Sequence, residues 1–258
     1  MRQRRWIVKA GSRMVCTGGL LLIRTWMQQI QILRKKHNIE VIWVTSGAIG
    51  TAVTRMNFNK RKRTLQEKQA LSAIGQPLVM DQYNIALHAV GLMGSQVLLT
   101  ADDMKHSDRK KNLQNTLKEL LRWKIVPVLN ENDAVATEEI QFGDNDSLAS
   151  RVAVMMAAEK LILLTDVDGL YTANPQKVSY ATLIPYLKHV TIKEKKMADG
   201  KNTSKFGVGG MYSKLLAAER AGKDGIITHL VRGDVPNNLL EIASGRSIGT
   251  QIGGLYRP

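Results

Sequence analysis

Two polar knots interrupt an otherwise apolar stretch in the middle of the chain. Asn130, Glu131, Asn132 and Asp133 follow the run Ile125, Val126, Val128, Leu129, and Gly143, Asp144, Asn145 and Asp146 open the apolar pattern from Leu148 to Ala158. The run suits a buried strand of a parallel sheet. The second knot stands where a helix begins, so its amide and carboxylates fall at a helix N-terminus. Side chains of this kind at the carboxyl end of a strand lie where open α/β sheets hold their ligands. A turn or a helix cap accounts for any one of them alone. A polar ligand site accounts for the set.

Three further places carry chemistry of a matching kind. Lys9 ends the apolar segment 6–9 and is followed by Gly11 and Ser12. An ammonium at a strand's end beside a small turn is suited to a phosphate at the sheet edge, although a solvated lysine is the ordinary reading. Thr45, Ser46 and Gly47 end the run 41–44, where small residues let the backbone approach a ligand and offer N–H groups. Gly207, Gly209 and Gly210 precede a helical run, with Lys214 one turn inside it. Backbone donors at a helix start with a point charge nearby form a phosphate cradle. The GxxxxGK[ST] spacing of a P-loop is absent, and a spare glycine turn is the plain alternative.

The elements that must position these groups follow from periodicity. Apolar runs predict strands over 6–9, 41–44, 97–100, 125–129 and 161–164, with short closing strands at 225–228 and 250–252. Helical spacing predicts helices over about 20–36, 65–83, 109–123, 148–158 and 215–222. The residues after 161–164, from Thr165 and Asp166 through Asp168 to Pro175, read as a loop carrying Tyr171 as one wall of a nucleotide pocket or as packing. The lysine-rich stretch 176–205 is weakly periodic and reads as an irregular insertion. Strands alternating with helices predict an α/β fold, expected here as one domain over 1–258.

Composition excludes several classes. One cysteine, Cys16, rules out an internal disulfide framework, fits a reducing compartment and reads as a packing residue. Five histidines never fall at metal-ligand spacing, so no zinc site is expected. No run approaches the roughly 18 apolar residues of a membrane span, and a soluble cytoplasmic protein is the expectation. The net charge of +15 with the run Lys60, Arg61, Lys62, Arg63 would attract anions, and weak nonspecific nucleic-acid binding follows from it. With only 5% aromatic residues there is no base-stacking platform, so most of this charge is a solvated face.

Taken in order, IVKAGS, VTSGAIG, VLNENDAVA, FGDNDSLA, LLTDVDGLYTANP and GVGGMYSK make the chain resemble the glutamate 5-kinases of the amino acid kinase superfamily over nearly its whole length. That resemblance implies a three-layer αβα sandwich around a largely parallel sheet and ATP-dependent phosphorylation of the γ-carboxylate of L-glutamate, the first step of proline synthesis. Carried over, Ser46, Gly47, Asp133 and Asn145 hold glutamate with Asn130 and Asp144 close by. Thr165, Asp166, Val208, Gly209, Gly210, Met211, Tyr212, Ser213 and Lys214 hold ATP, with Lys9 beside them. Lys9 and Lys214 neutralise the transferring phosphoryl group, and Asp146 orients both. Glutamate binds to the first part of the chain, about 1–160, and ATP to the second, about 161–258. Magnesium bridges the ATP phosphates without a dedicated protein site. The resemblance also implies proline as a feedback inhibitor and a homo-oligomer, dimer or tetramer.

The chain departs from the family's pattern at Val208, where threonine is usual, at Ala10, where leucine is usual, and at Asn174, where aspartate is usual. It reaches Pro258 soon after SIGTQI, so the C-terminal PUA-type domain of many relatives is not expected. Two other readings stand beside the kinase: another superfamily member acting on aspartate, acetylglutamate, carbamate or a nucleoside monophosphate, and an inactive basic RNA-binding protein on the same fold.

Overall fold

The computed structural model describes residues 4–58, 62–135, 145–198 and 210–256. Among them, β1 (Arg4–Ala10), β2 (Ile39–Val44), β3 (Gly94–Leu99), β4 (Val126–Glu131), β5 (Lys160–Thr165), β6 (Tyr186–Leu187), β7 (Ile227–Arg232) and β8 (Thr250–Ile252) form one sheet in the order β3-β4-β2-β1-β5-β7-β8-β6. Every pairing is parallel except β7 with β8. β2, β4 and β3 build the sheet to one side of β1, and β5, β7, β8 and β6 to the other. The strand order therefore reverses at β1, the position at which such sheets open a ligand crevice beyond their carboxyl ends.

The alternation of β1 decides which helices cover which face, because successive side chains of a strand point to opposite sides. Trp6, Val8 and Ala10 join a core with Trp43 of β2, Trp26 and Ile30 of α1 (Ser12–His37), Tyr83 of α3 (Leu65–His88) and Leu239 of α8 (Asn238–Ala243). Ile7 faces the other way, into a core with Leu117 of α4 (Ser107–Arg122), Val152 of α5 (Asn145–Met155) and Leu215 of α7 (Met211–Lys223). The result is the expected αβα sandwich. By the same parity Lys9 shares the side of Ile7, under α5 and α7.

Local sequence explains most boundaries. Thr64 and Glu67 form a reciprocal capping box at the start of α3: the Thr64 hydroxyl accepts from Glu67 N at 3.2 Å, and the Glu67 carboxylate accepts from Thr64 N at 2.8 Å. Asn38 closes α1 in the left-handed region at φ 51°. On the first face Trp26 lies 5.3 Å from Trp43, which lies 6.1 Å from Tyr83. The indole of Trp43 donates to the Tyr83 hydroxyl at 2.8 Å, so these buried aromatics keep their polar tips bonded.

Several expectations shift. Helix α1 begins at Ser12 rather than near residue 20, because Met14 and Val15 already pack into the core ahead of a kink at Gly19. Helix α3 runs past residue 83 to His88 with Pro77 inside it. The stretch 176–205 is not wholly irregular: it holds β6 and α6 (Ile192–Ala198). α6 buries none of its residues, so it has no apolar stripe to read, and β6 has only two residues paired with β8. α2 (Ala48–Met56) follows the glycine turn after β2, and the short α8 lies where no helix was expected. The expected strand at 225–228 lies instead at Ile227–Arg232.

His229 on β7 is 2% exposed, and its Nε2 lies 3.2 Å from the Lys160 ammonium. Burial first, then the nearby Lys160 charge, pushes its pKa down to about 3. The folded ring stays neutral while the unfolded ring takes up a proton below about pH 6.5. Stability is therefore complete above that pH and is lost as the pH falls toward 3. Chemical denaturation at pH 7 and pH 4.5 should show the native protein losing about 2–3 kcal/mol more than His229→Gln over that interval.

Candidate active site

The carboxyl edge of the sheet gathers the chemistry. Lys9, in register with Val44 of β2 and Leu163 of β5, lies at the centre of that edge. Its ammonium lies 2.6 Å from Oδ1 of Asp146, in the first turn of α5, while the Lys214 ammonium of α7 lies 3.1 Å from Oδ2 of the same carboxylate. The Ser213 hydroxyl donates to Oδ2 at 2.9 Å. The side chains of Lys9, Lys214 and Asp146 are 4%, 7% and 0% exposed. The two predicted lysines thus converge on the predicted aspartate. These three groups carry two positive charges and one negative in a poorly solvated place, where an uncompensated charge is costly. An oxyanion is the natural further partner for such ammonium groups.

The α7 side follows from its start. Gly210 caps the helix in extended geometry, and its carbonyl accepts from the Ser213 hydroxyl at 2.8 Å. Met211 packs against the core and Tyr212 is 40% exposed. Gly11 opens α1 directly after β1, and a Cβ there would come 3.9 Å from the Lys9 ammonium. The ammonium therefore lies close over the N-terminus of α1.

A second cluster is made of amides. The Asn145 amide nitrogen donates toward Thr45 O at 2.6 Å, Asn130 Oδ1 at 2.6 Å and Ser46 Oγ at 3.0 Å. Asn130 is 2% exposed and ends β4 as part of the strand rather than in a turn, so the first polar knot begins inside the sheet. Asp133, half-buried, accepts from the Ser72 hydroxyl of α3 at 3.3 Å. Gly47 sits at φ 100°, where a side chain would be strained and would press on Cys16 and Val15. That conformation turns the chain from Ser46 straight into α2. Behind the turn, a cavity of about 320 Å³ lies between α1, α2 and α3 and contains neither lysine. Cys16, on its wall, donates its thiol to the Gly47 carbonyl at 3.6 Å.

On the far side of β1, Thr165 is buried at the end of β5, and its hydroxyl donates to Asp166 at 3.3 Å. Asp166 is ion-paired with Arg13 from the first turn of α1. The Tyr171 hydroxyl donates to Asp168 at 2.7 Å, and that carboxylate raises the phenol's pKa. Asp144, Val208 and Gly209, also expected in the site, lie outside the described residues. Residues that sequence reasoning passed over are Arg13, Ser72, Gln76 and Tyr83, whereas Thr45 belonged to the turn already singled out before Gly47.

The donor set suits anions rather than a resident metal. The carboxylate best placed for a cation, Asp146, already receives two ammonium groups and a hydroxyl. Among the described residues no group of three or more His, Cys, Asp or Glu is arranged to hold a metal ion. No described helix is long and apolar enough to cross a membrane.

Comparison with known proteins agrees with this geometry. A solved structure of isopentenyl phosphate kinase shares the fold, with a TM-score of 0.66 at 16% identity over 96% of this chain and 100% of that one. The chain is 40% identical over 253 residues to a glutamate 5-kinase of Burkholderia multivorans, covering 96% of this chain and 68% of the relative. It is 41% identical over 256 residues to a glutamate 5-kinase of Meiothermus ruber, covering 98% and 67%. The sequence pattern of the amino acid kinase family matches residues 4–232, from the start of β1 to the end of β7. With a near-complete family match and relatives at this identity, the chain belongs to the amino acid kinase family and, within it, to the glutamate 5-kinases.

Proposed function

We infer that the protein transfers the γ-phosphoryl group of ATP to the γ-carboxylate of L-glutamate, giving L-glutamyl 5-phosphate and ADP, the first step of proline synthesis. The observation that carries this reading is the meeting of two buried ammonium groups on one buried carboxylate at the carboxyl edge of the sheet. A carboxylate oxygen of glutamate forms the new bond to the γ-phosphorus, and the bond from that phosphorus to the β,γ-bridging oxygen breaks with its electron pair leaving on ADP. The attacking carboxylate is already ionised, so no strong general base is needed. Catalysis then rests on alignment and on relief of charge between two anions.

Lys9 and Lys214 neutralise the charge that spreads over the transferring group, and Asp146 holds both at a fixed separation. Ser46, Gly47, Asn130, Asp133 and Asn145, with Asp144, form the glutamate side. Thr165, Asp166 and the stretch from Val208 to Lys214 form the ATP side. On this reading 1–160 supplies the acceptor half and 161–258 the nucleotide half of one domain. Magnesium, when bound, supplies charge neutralisation on the ATP phosphates, which are its natural oxygen ligands.

Incubation with ATP, magnesium and hydroxylamine should yield acyl hydroxamate with L-glutamate and not with aspartate or acetylglutamate. Product with one of the others alone would reassign the substrate. Lys9→Ala and Lys214→Ala should each lower kcat by about 100-fold or more, the loss typical of one preorganised stabilising donor; near-normal turnover in either would count against the assignment. Asp146→Asn keeps the shape but leaves two buried ammonium groups without their carboxylate, so stability should fall by about 3–5 kcal/mol. Inorganic phosphate should raise the melting temperature of Asp146→Asn more than that of the native protein.

A further inference from the structure

Beyond the acceptor residues named above, a file of buried amides runs from them into α3. Its polarity is fixed by two backbone groups that have no choice of role. The Thr45 carbonyl can only accept, so Asn145 turns its NH₂ to it at 2.6 Å. The Glu131 N–H can only donate, so Asn130 turns Oδ1 to it at 2.9 Å. Asn130 Oδ1 also receives the Asn145 NH₂ at 2.6 Å, which leaves the Asn130 NH₂ to donate to Gln76 Oε1 at 2.7 Å. The Gln76 NH₂ in turn donates to Gln96 Oε1 at 3.2 Å. Around Asn145, both amide hydrogens are engaged by three acceptors. What that side chain has left to offer is its carbonyl, an acceptor.

Gln76 reaches Asn130 because its neighbour is glycine. A Cβ on Gly75 would lie 1.8 Å from the Ala48 carbonyl oxygen, so α3 rests directly on the start of α2. Gln76 is 7% exposed there, and Asn130 is 2% exposed. If the Gln76 oxygen were removed, a buried donor on Asn130 would lose this acceptor, a costly state that favours rotation of the Asn130 side chain. Asn145 would then lose one of the partners that hold its carboxamide in this orientation.

We propose that Gln76 is a positioning residue for substrate selection: by accepting from the Asn130 amide it holds Asn130 in the orientation its backbone partner dictates, and so supports the one that keeps the Asn145 carbonyl available as an acceptor for the α-ammonium group of the substrate. Gln76 itself touches no reacting atom. The consequence is preference for an amino dicarboxylate over the same five-carbon diacid without its amine, a discrimination of the kind a committed polar partner provides. This rests on the reading of the protein as a glutamate kinase.

The test compares L-glutamate with glutarate, measured as an alternative substrate or as a competitive inhibitor, in the native protein, Gln76→Met and Gln76→Glu. In Gln76→Met the KM for L-glutamate should rise about 10-fold, equivalent to one hydrogen bond to a charged group, with the affinity for glutarate and the KM for ATP little changed. Gln76→Glu keeps an acceptor oxygen toward Asn130 and should retain most of the preference. Gln76→Ala serves the same comparison if Gln76→Met does not fold. Equal losses for glutamate and glutarate would reduce Gln76 to a structural residue and overturn the proposal while leaving the kinase reading intact. Absence of glutamate-dependent hydroxamate in the native protein would sink both.

Discussion

The structure depends most on one electrostatic constraint: a fully buried carboxylate, Asp146, held between ammonium groups from the two ends of the chain. Each ion alone would be costly to desolvate, and the pair of lysines without the aspartate would repel. The cluster is therefore compatible with folding only when β1, α5 and α7 are all in place. In the proposed reaction, substrate charge would meet groups whose positions are already set by the fold, which is what preorganised stabilisation of a transferring phosphoryl group requires.

The acceptor side is built on a different principle. Its amides, Asn145, Asn130 and Gln76, are neutral, buried and joined in a chain whose directions are set by backbone atoms at Thr45 and Glu131. A parallel set of bonds anchors the adjacent turn. The Trp43 indole donates to Tyr83, and the Tyr83 and Thr45 hydroxyls lie 2.9 Å apart, with Thr45 also reaching the Ser46 carbonyl at 3.2 Å. Burial holds the Tyr83 phenol protonated, well above its ordinary pKa, so this link does not titrate near neutrality. Both chains pass through α3, and its approach at Gly75 brings the aromatic core and the amide file to one loop.

The side proposed for the nucleotide is more open. Arg13, Asp166, Asp168 and Arg232 are paired at the surface, where ion pairs contribute little to stability. A rigid acceptor pocket facing a solvated nucleotide edge is consistent with a site in which one substrate is selected by shape and polarity and the other is held largely by its phosphates.

Sequence alone determined the sheet and the residue types at its carboxyl edge. Buried parallel strands read as unbroken apolar runs, and the turns after them need glycine or small polar residues, both local facts. It also marked Lys9, Asn145, Asp146 and Lys214 through motifs. It missed α6, none of whose residues is fully buried, and the start of α1, where Gly18 and Gly19 broke the helical pattern. That the two lysines share one carboxylate was implied only by family resemblance; its physical basis came with the tertiary structure, since it depends on which helices cover the Lys9 side of β1. Only the tertiary structure distinguished Gln76 from the other polar residues of α3. A buried glutamine has the same sequence signature as a solvated one, and its partners come from strands distant in the chain.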